Sequence, residues 1–401
     1  MLRLALGLLG IAATLFLSRG QEAIDLLRFP LCWWSLLLAL SGAVRLVRGR
    51  SPFPSLGSFF ACAAASVVFW DVFELLNLRL RNWWYVGVSP DPLAGALFAA
   101  FSFATVLPAA RYGLALLTPA GAGSLESPNP ARGPRPLTLT LLGLVSLLLA
   151  LRFPRFAFPL AWIFLWPLCE AALGALQQAP GLESPLEALR RGHRGLILRL
   201  LALALPLGLV WESLNSGCER GWVYTVPFFE QPKLFEMPLP GYLGYLPFLL
   251  EAGAALALVE RLLPRLYGSR AAAALAAVAV FHLGADRLGH QGTVLSNTPL
   301  LSQARTLDAA GLEAQGLRTP REVMRAKYAP GYAHAIAELA QVSGVSVPMA
   351  EQLVLLGVQG PADLAKADPA SLHGRLARRL EPPPLPVVRL WIQAASRSVS
   401  R

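Results

Sequence analysis

The residues able to do chemistry in this chain are acids set inside long apolar runs. Glu74 and Asn77 stand three residues apart, and Glu212 and Asn215 repeat the pair. That spacing puts an acid and an amide on one helix face. Asp71 lies about one turn before Glu74, on the same face. Glu251 sits in the middle of a later apolar run, and Glu170 lies near Trp166. An ionised carboxylate at membrane depth is costly, so such acids face the protein interior or a polar cavity. Apolar surroundings favour the protonated carboxyl, which is the form a general acid needs. Glu212 and Glu251 are therefore the candidate catalytic acids. Asn215, Trp222, Tyr224, Glu74 and Asn77 are the candidate substrate-binding residues. The plainer alternative is that Glu212 and Asn215 only pin the loop that follows them, as Glu74 and Asn77 would in the first half.

His282, Asp286 and His290 are spaced by four and share one helix face. One straight helix cannot bring three such side chains to one ion without ligands from elsewhere. No metal is expected, and no cofactor. Cys32, Cys62, Cys169 and Cys218 form no CxxC pair, so neither a zinc ribbon nor a disulfide framework is readable.

These acids need apolar helices to carry them, and the composition supplies them. Of 401 residues, 55% are hydrophobic and 15% charged. Mean hydropathy is +0.51. Soluble chains carry roughly 25% charged residues, so this chain is not soluble along its whole length. The net charge of +11 is mostly arginine. In a membrane protein such an excess marks cytoplasmic loops before it marks nucleic acid.

A spanning helix takes about 20 mostly apolar residues. Eight runs approach that length, near 2–18, 30–47, 57–77, 93–117, 137–152, 156–176, 196–215 and 240–263. The first has no clear small-x-small cleavage site, so it reads as a retained helix. A Pro/Gly/Ser-rich linker, 118–136, divides the runs into 1–117 and 137–265. The two halves share motifs in the same order. Phe29–Trp33 (FPLCW) answers Phe158–Trp162 (FPLAW), and Phe73–Asn77 (FELLN) answers Trp211–Asn215 (WESLN). Trp83-Trp84-Tyr85 answers Trp222-Val223-Tyr224, and Pro92–Gly95 (PLAG) answers Pro238–Gly241 (PLPG). The pattern predicts two tandem four-helix repeats in parallel orientation. Arg45, Arg48, Arg190, Arg191 and Arg194 fall in loops on the side of the N-terminus. The expected setting is a bacterial inner membrane, multi-pass, with the N-terminus and the C-terminal domain both cytoplasmic. Ala271–Leu283 is apolar but short for a span, so residues 266–298 read as an interfacial or re-entrant helix.

From 299 to 401 the chemistry is that of a small soluble helical domain. Gly316–Val323 (GLRTPREV) matches Gly357–Leu364 (GVQGPADL), a glycine turn followed by a proline-led helix with an acid in its first turn. This stretch resembles the tandem helix-hairpin-helix families. Its hairpin, Gly344-Val345-Ser346, has serine where those families have a second glycine. Nucleic acid is therefore not an expected partner, and a protein partner is the alternative.

The membrane region bears a second resemblance. Glu212, then Gly221-Trp222-Val223-Tyr224, then a proline-led helix from Pro238, is similar to the c/d-type lycopene cyclases and carotenoid hydratases. The place of their Pro-x-Glu-Glu motif reads Pro238-Leu239-Pro240-Gly241, without either glutamate. The resemblance implies a membrane lipid or isoprenoid as ligand, bound near the outer face of the second repeat. The sequence thus predicts an all-α polytopic membrane bundle of two repeats plus a helix-hairpin-helix-like domain. The resemblance implies isoprenoid binding or processing; the alternative expectation is a non-catalytic membrane scaffold or tether whose cytoplasmic helical domain binds a protein or nucleic-acid partner.

Overall fold

A long apolar run satisfies its backbone groups best as a helix, because no water is at hand to take them. The computed structural model describes residues 1–119, 135–176, 181–228, 230–266, 270–326 and 328–399. Most of the predicted linker lies outside these residues. The chain divides into two units. The first holds Met1–Asn82, Asp91–Cys218 and Val226–Gly292; the second holds Trp83–Pro90, Glu219–Thr225 and Thr293–Arg401.

The first unit contains α1 (Leu2–Leu17), α2 (Glu22–Leu26), α3 (Arg28–Arg48), α4 (Leu56–Leu80), α5 (Pro92–Phe103) and α6 (Val106–Leu117). It continues with α7 (Pro136–Arg152), α8 (Leu165–Ala175), α9 (Pro185–Arg191), α10 (Arg194–Asn215), α11 (Tyr245–Leu266) and α12 (Ala271–Gly292). Among the described residues six segments are long and apolar enough to cross a membrane: Arg28–Arg48, Leu56–Leu80, Pro92–Leu117, Arg194–Asn215, Leu239–Leu262 and Ala271–Gly292. They fit an integral, multi-pass membrane protein. α1 and α7 are shorter apolar helices.

The run expected at 156–176 is not one helix. It forms a short 3-10 segment, Phe158–Trp162, and then α8. Helices α1 and α3 approach closely through glycine. A Cβ on Gly7 would meet the backbone of Ala39 and Ser35, and one on Gly42 would meet Leu4. Small residues at such contacts let backbones pack where no hydrophobic force separates helix from lipid.

The segment expected at the interface holds α12, a continuous helix of 22 residues. It lies alongside α4. His282 Nδ1 meets both Asp71 oxygens at 3.1 Å, His282 Nε2 meets the Ala96 carbonyl at 2.9 Å, and Gly292 lies against Leu78. His282 and Ala285 are its buried residues, while Val280 is 72% exposed. The polar stripe read from the sequence thus faces the protein and the apolar side faces outward.

The second unit begins with two strands absent from the sequence reading. β1 (Trp83–Val86) pairs antiparallel with β2 (Gly221–Tyr224), with Trp83 opposite Tyr224 and Tyr85 opposite Trp222. Residues 293–298 add to the other edge of β1: Leu295 N donates to Tyr85 O and Thr298 N to Val88 O, each at 2.8 Å. A second small pair, β3 (Lys233–Leu234) with β4 (Met237–Pro238), belongs to the first unit.

Seven helices follow: α13 (Ala309–Glu313), α14 (Pro320–Arg325), α15 (Gly331–Ala340), α16 (Val347–Leu355), α17 (Pro361–Ala365), α18 (Pro369–Ala377) and α19 (Leu385–Val399). Ile336, Leu339, Val347, Leu353, Leu364, Leu376, Val387 and Trp391 form their core. The two matched segments have matching local geometry. Gly316 and Gly357 take φ of 78° and 87°, a left-handed conformation that glycine reaches without steric cost. Leu317 N then bonds Leu312 O at 2.9 Å, and Val358 N bonds Leu353 O at 3.0 Å. Glu322 accepts from Arg318 N at 2.6 Å, and Asp363 from Gln359 N at 3.0 Å.

Candidate functional site

The last turns of α10 carry Trp211, Glu212 and Asn215, and α11 carries Tyr245, Phe248 and Glu251. Glu212 is fully buried and its Oε1 accepts from the Tyr245 hydroxyl at 2.8 Å. Gly208, one turn before Glu212, makes room for the Tyr245 ring: a Cβ there would stand 2.6 Å from it. Glu251 is also fully buried. Its Oε1 accepts from Leu165 N at 2.8 Å, with a further backbone bond from Trp166. These are the first N–H groups of α8, which have no partner within that helix. Glu251 therefore caps α8 where the run 156–176 breaks. Its Oε2 is buried without a hydrogen-bond partner.

Aromatic rings pack together on and beside the helices that carry the two acids. Trp211 lies 5.4 Å from Trp33 and 5.3 Å from Trp70. Phe248 lies 5.9 Å from Trp162 and 5.6 Å from Phe73, and Phe73 stacks on Trp162 at 5.3 Å. Ring pairs at such distances contribute about 0.5–1.5 kcal/mol each beyond their burial. Their faces also attract positive charge.

The first-half pair is more plainly structural. Glu74 accepts from the Trp70 indole at 2.7 Å, one turn away on its own helix. Asn77 Oδ1 accepts from Asn82 N at 2.9 Å and so holds the chain as it leaves α4. Asn215 is buried, and its carbonyl accepts from Cys218 N at 3.2 Å. Glu170 is fully engaged by Ser184 Oγ at 2.6 Å, Leu186 N at 2.8 Å and the Trp166 indole at 3.0 Å.

The sequence candidates divide between the units. Glu74, Asn77, Glu212, Asn215 and Glu251 belong to the first; Trp222 and Tyr224 belong to the second, on β2. There the Trp222 indole donates to the Tyr224 hydroxyl at 2.7 Å. Among the described residues no three metal-type side chains come together. Sequence reasoning missed Tyr245, Phe248 and the Asp71–His282 pair. Gly208 and Glu212, four apart on a helix, were a signal for a large polar side chain packing there. Comparison with protein-family models, with curated proteins and with solved structures finds no match.

Proposed function

We propose that the membrane unit binds and processes an isoprenoid-type lipid, with Glu212 and Glu251 as its acids. The observation that carries this reading is two fully buried carboxyls on α10 and α11, set among aromatic rings, one with an unpartnered oxygen. A protonated carboxyl can add its proton to a carbon–carbon double bond. The carbocation that results is stabilised by neighbouring ring faces. Trp70, Trp211 and Phe248 supply such faces here.

Two tandem repeats remain our reading of the membrane unit, and reciprocal contacts support it. Trp33 of the first FPLxW motif packs on Trp211 of WESLN; Trp162 of the second packs on Phe73 of FELLN. The β1–β2 register likewise exchanges matched residues, Trp83 with Tyr224 and Tyr85 with Trp222. The matched turns around Gly316 and Gly357 support the helix-hairpin-helix reading of the last quarter.

We further propose a side for the C-terminal domain that departs from the sequence expectation. Its residues 293–298 pair with 85–88, and 83–90 follow α1, α3 and α4. Counting the shorter α1 with α3 and α4 as crossings, we read that loop as opposite the N-terminus. With the N-terminus cytoplasmic, the domain lies outside, where a protein is the expected partner and nucleic acid is not.

A second reading is favoured by one specific contact. Glu251 caps α8, which is a structural task, and a unit held by such contacts can serve as a scaffold. Solvent extraction of the purified full chain separates the two. Mass spectrometry should find an isoprenoid retained at near-equal molar ratio. Only bulk phospholipid would favour the scaffold.

A further inference from the structure

Away from Glu212, at the start of α10, the first unit gathers positive charge. Arg48 closes α3, and Arg199 lies in the second turn of α10. Arg48 donates Nε to the Ala115 carbonyl at 3.0 Å and Nη2 to the Leu116 carbonyl at 3.2 Å. Those bonds satisfy the last turn of α6 and fix the guanidinium in place. Leu203, one turn beyond Arg199, lies against Gly113 of α6, and Arg48 holds the carbonyls just after Gly113, so both cations stand at this end of α6 and within electrostatic reach of one another. The acid that acts on Arg199 is Glu183. That carboxylate is already engaged by His193 at 2.9 Å and Arg191 at 3.8 Å. Arg199 Nε is buried without a hydrogen-bond partner. Arg3 and Arg45 also act at this end, through Tyr112 of α6.

Two guanidinium groups held at one end of α6, with no acid among the described residues bonded to either, call for an anion. A phosphodiester answers both needs: it is negative, and its oxygens match the fork of N–H donors. The side chains beside the two arginines indicate its source. Leu46 is 48%, Val47 61% and Leu198 64% exposed, which leaves apolar surface where acyl chains would run. Basic pockets between membrane helices hold headgroups in this way. We propose that Arg48 and Arg199 form a binding site for the phosphate of an anionic membrane lipid.

The test uses the full chain in neutral detergent, with lipid binding read by native mass spectrometry. The probes are short-chain phosphatidylglycerol, short-chain phosphatidylcholine and inorganic phosphate. Wild-type protein should bind phosphatidylglycerol about tenfold more tightly than phosphatidylcholine, with inorganic phosphate displacing it poorly. Arg48→Gln and Arg199→Gln should each remove that preference. The double variant Arg152→Gln/Arg155→Gln removes twice the charge of either, from exposed arginines that lie over Phe153 and Phe228, and should keep it. Equal binding of the two lipids by the wild type would overturn the proposal whatever the variants do. So would an unchanged preference in both single variants. Full displacement by inorganic phosphate at lipid concentration would make this a free-phosphate site and end the lipid claim.

Discussion

Replacing Glu351 tests how the C-terminal helical domain is held together. Glu351, on α16, is 1% exposed. Its Oε2 accepts from Arg305 N at 3.0 Å, and its Oε1 from Thr306 N and Thr306 Oγ1 at 2.6 Å each. These bonds tie the segment before α13 to α16. Burial raises the acid's pKa, but the bonds from Thr306 and Arg305 outweigh it and hold the carboxyl below the ordinary range. In Glu351→Gln the amide keeps one acceptor oxygen and turns an NH2 toward a donor. Hydrogen bonds to a charged group contribute about 1.5–3 kcal/mol each, and a stranded buried donor costs about 1–3 kcal/mol. The three bonds share one carboxylate and do not add, so the expected loss is about 2–4 kcal/mol. Hydrogen exchange on the full chain in micelles reads it directly. At about 1.4 kcal/mol per decade, protection across α15 and α16 should fall roughly 30- to 1000-fold. The pH dependence carries a sign as well. The folded pKa is depressed, so the stabilisation is complete above the unfolded value, about 4.3, and is lost as pH falls through the folded value. Glu351→Gln should lack that part of the acid-side decline. Glu322 keeps its own part in both proteins. Burial raises its pKa too, but the N–H groups of Arg318 and Thr319 hold it low. Protection within about threefold of wild type, or an unchanged acid-side slope, would refute the reasoning.

Three other outcomes are expected. Trp33→Ala and Trp162→Ala each remove a buried or partly buried ring that packs on the other half, and each should cost about 3–5 kcal/mol in unfolding from micelles; a change below about 1 kcal/mol would count against those contacts. Gly7→Leu drives a side chain into the backbone of α3, so a cysteine pair across α1 and α3 should cross-link in wild type and fail in the variant; equal yields would show that α1 does not pack as described. Reporter fusions after Leu117 and after Asn297 should report opposite sides, because the side proposed for the C-terminal domain puts Asn297 with the loop after α4; the same side for both would end that proposal and return α12 to the membrane surface.

The helices were legible because apolar length and capping are local. Ser184 with Glu187, and Thr319 with Glu322, are capping boxes that can be read in the chain and that form. The strands were not legible. WWYV is four residues long, and its partner GWVY lies in the other half of the chain, so nothing local announces the pair. The same non-locality hid the Asp71–His282 contact, whose members are 211 residues apart. The apolar stretch Ala271–Leu283 looked too short to span, whereas α12 continues to Gly292 and its buried histidine faces α4 and α5. Glu212 and Glu251 were singled out correctly as buried acids. That Glu251 caps α8 was not readable, because the cap exists only where the run 156–176 breaks. Trp222 and Tyr224 were grouped with Glu212 through the order of motifs shared with the cyclases; they stand on β2, which belongs to the second unit.

The most direct test of the central claim is the isoprenoid profile of cells that carry the full chain with Glu212→Gln or Glu251→Gln, inserted at wild-type level. Glutamine keeps the size of the side chain and part of its hydrogen bonding but has no carboxyl proton to donate. The Tyr245 hydroxyl can still donate to the amide oxygen at position 212, and the α8 cap can persist, so both variants should fold. If these acids protonate an isoprenoid, liquid chromatography with mass spectrometry should find the wild-type product missing in both variants and its precursor accumulated. Profiles identical to wild type in both, together with misfolding of Glu212→Ala, would contradict the enzyme reading and leave Glu212 and Glu251 as structural residues of a membrane scaffold.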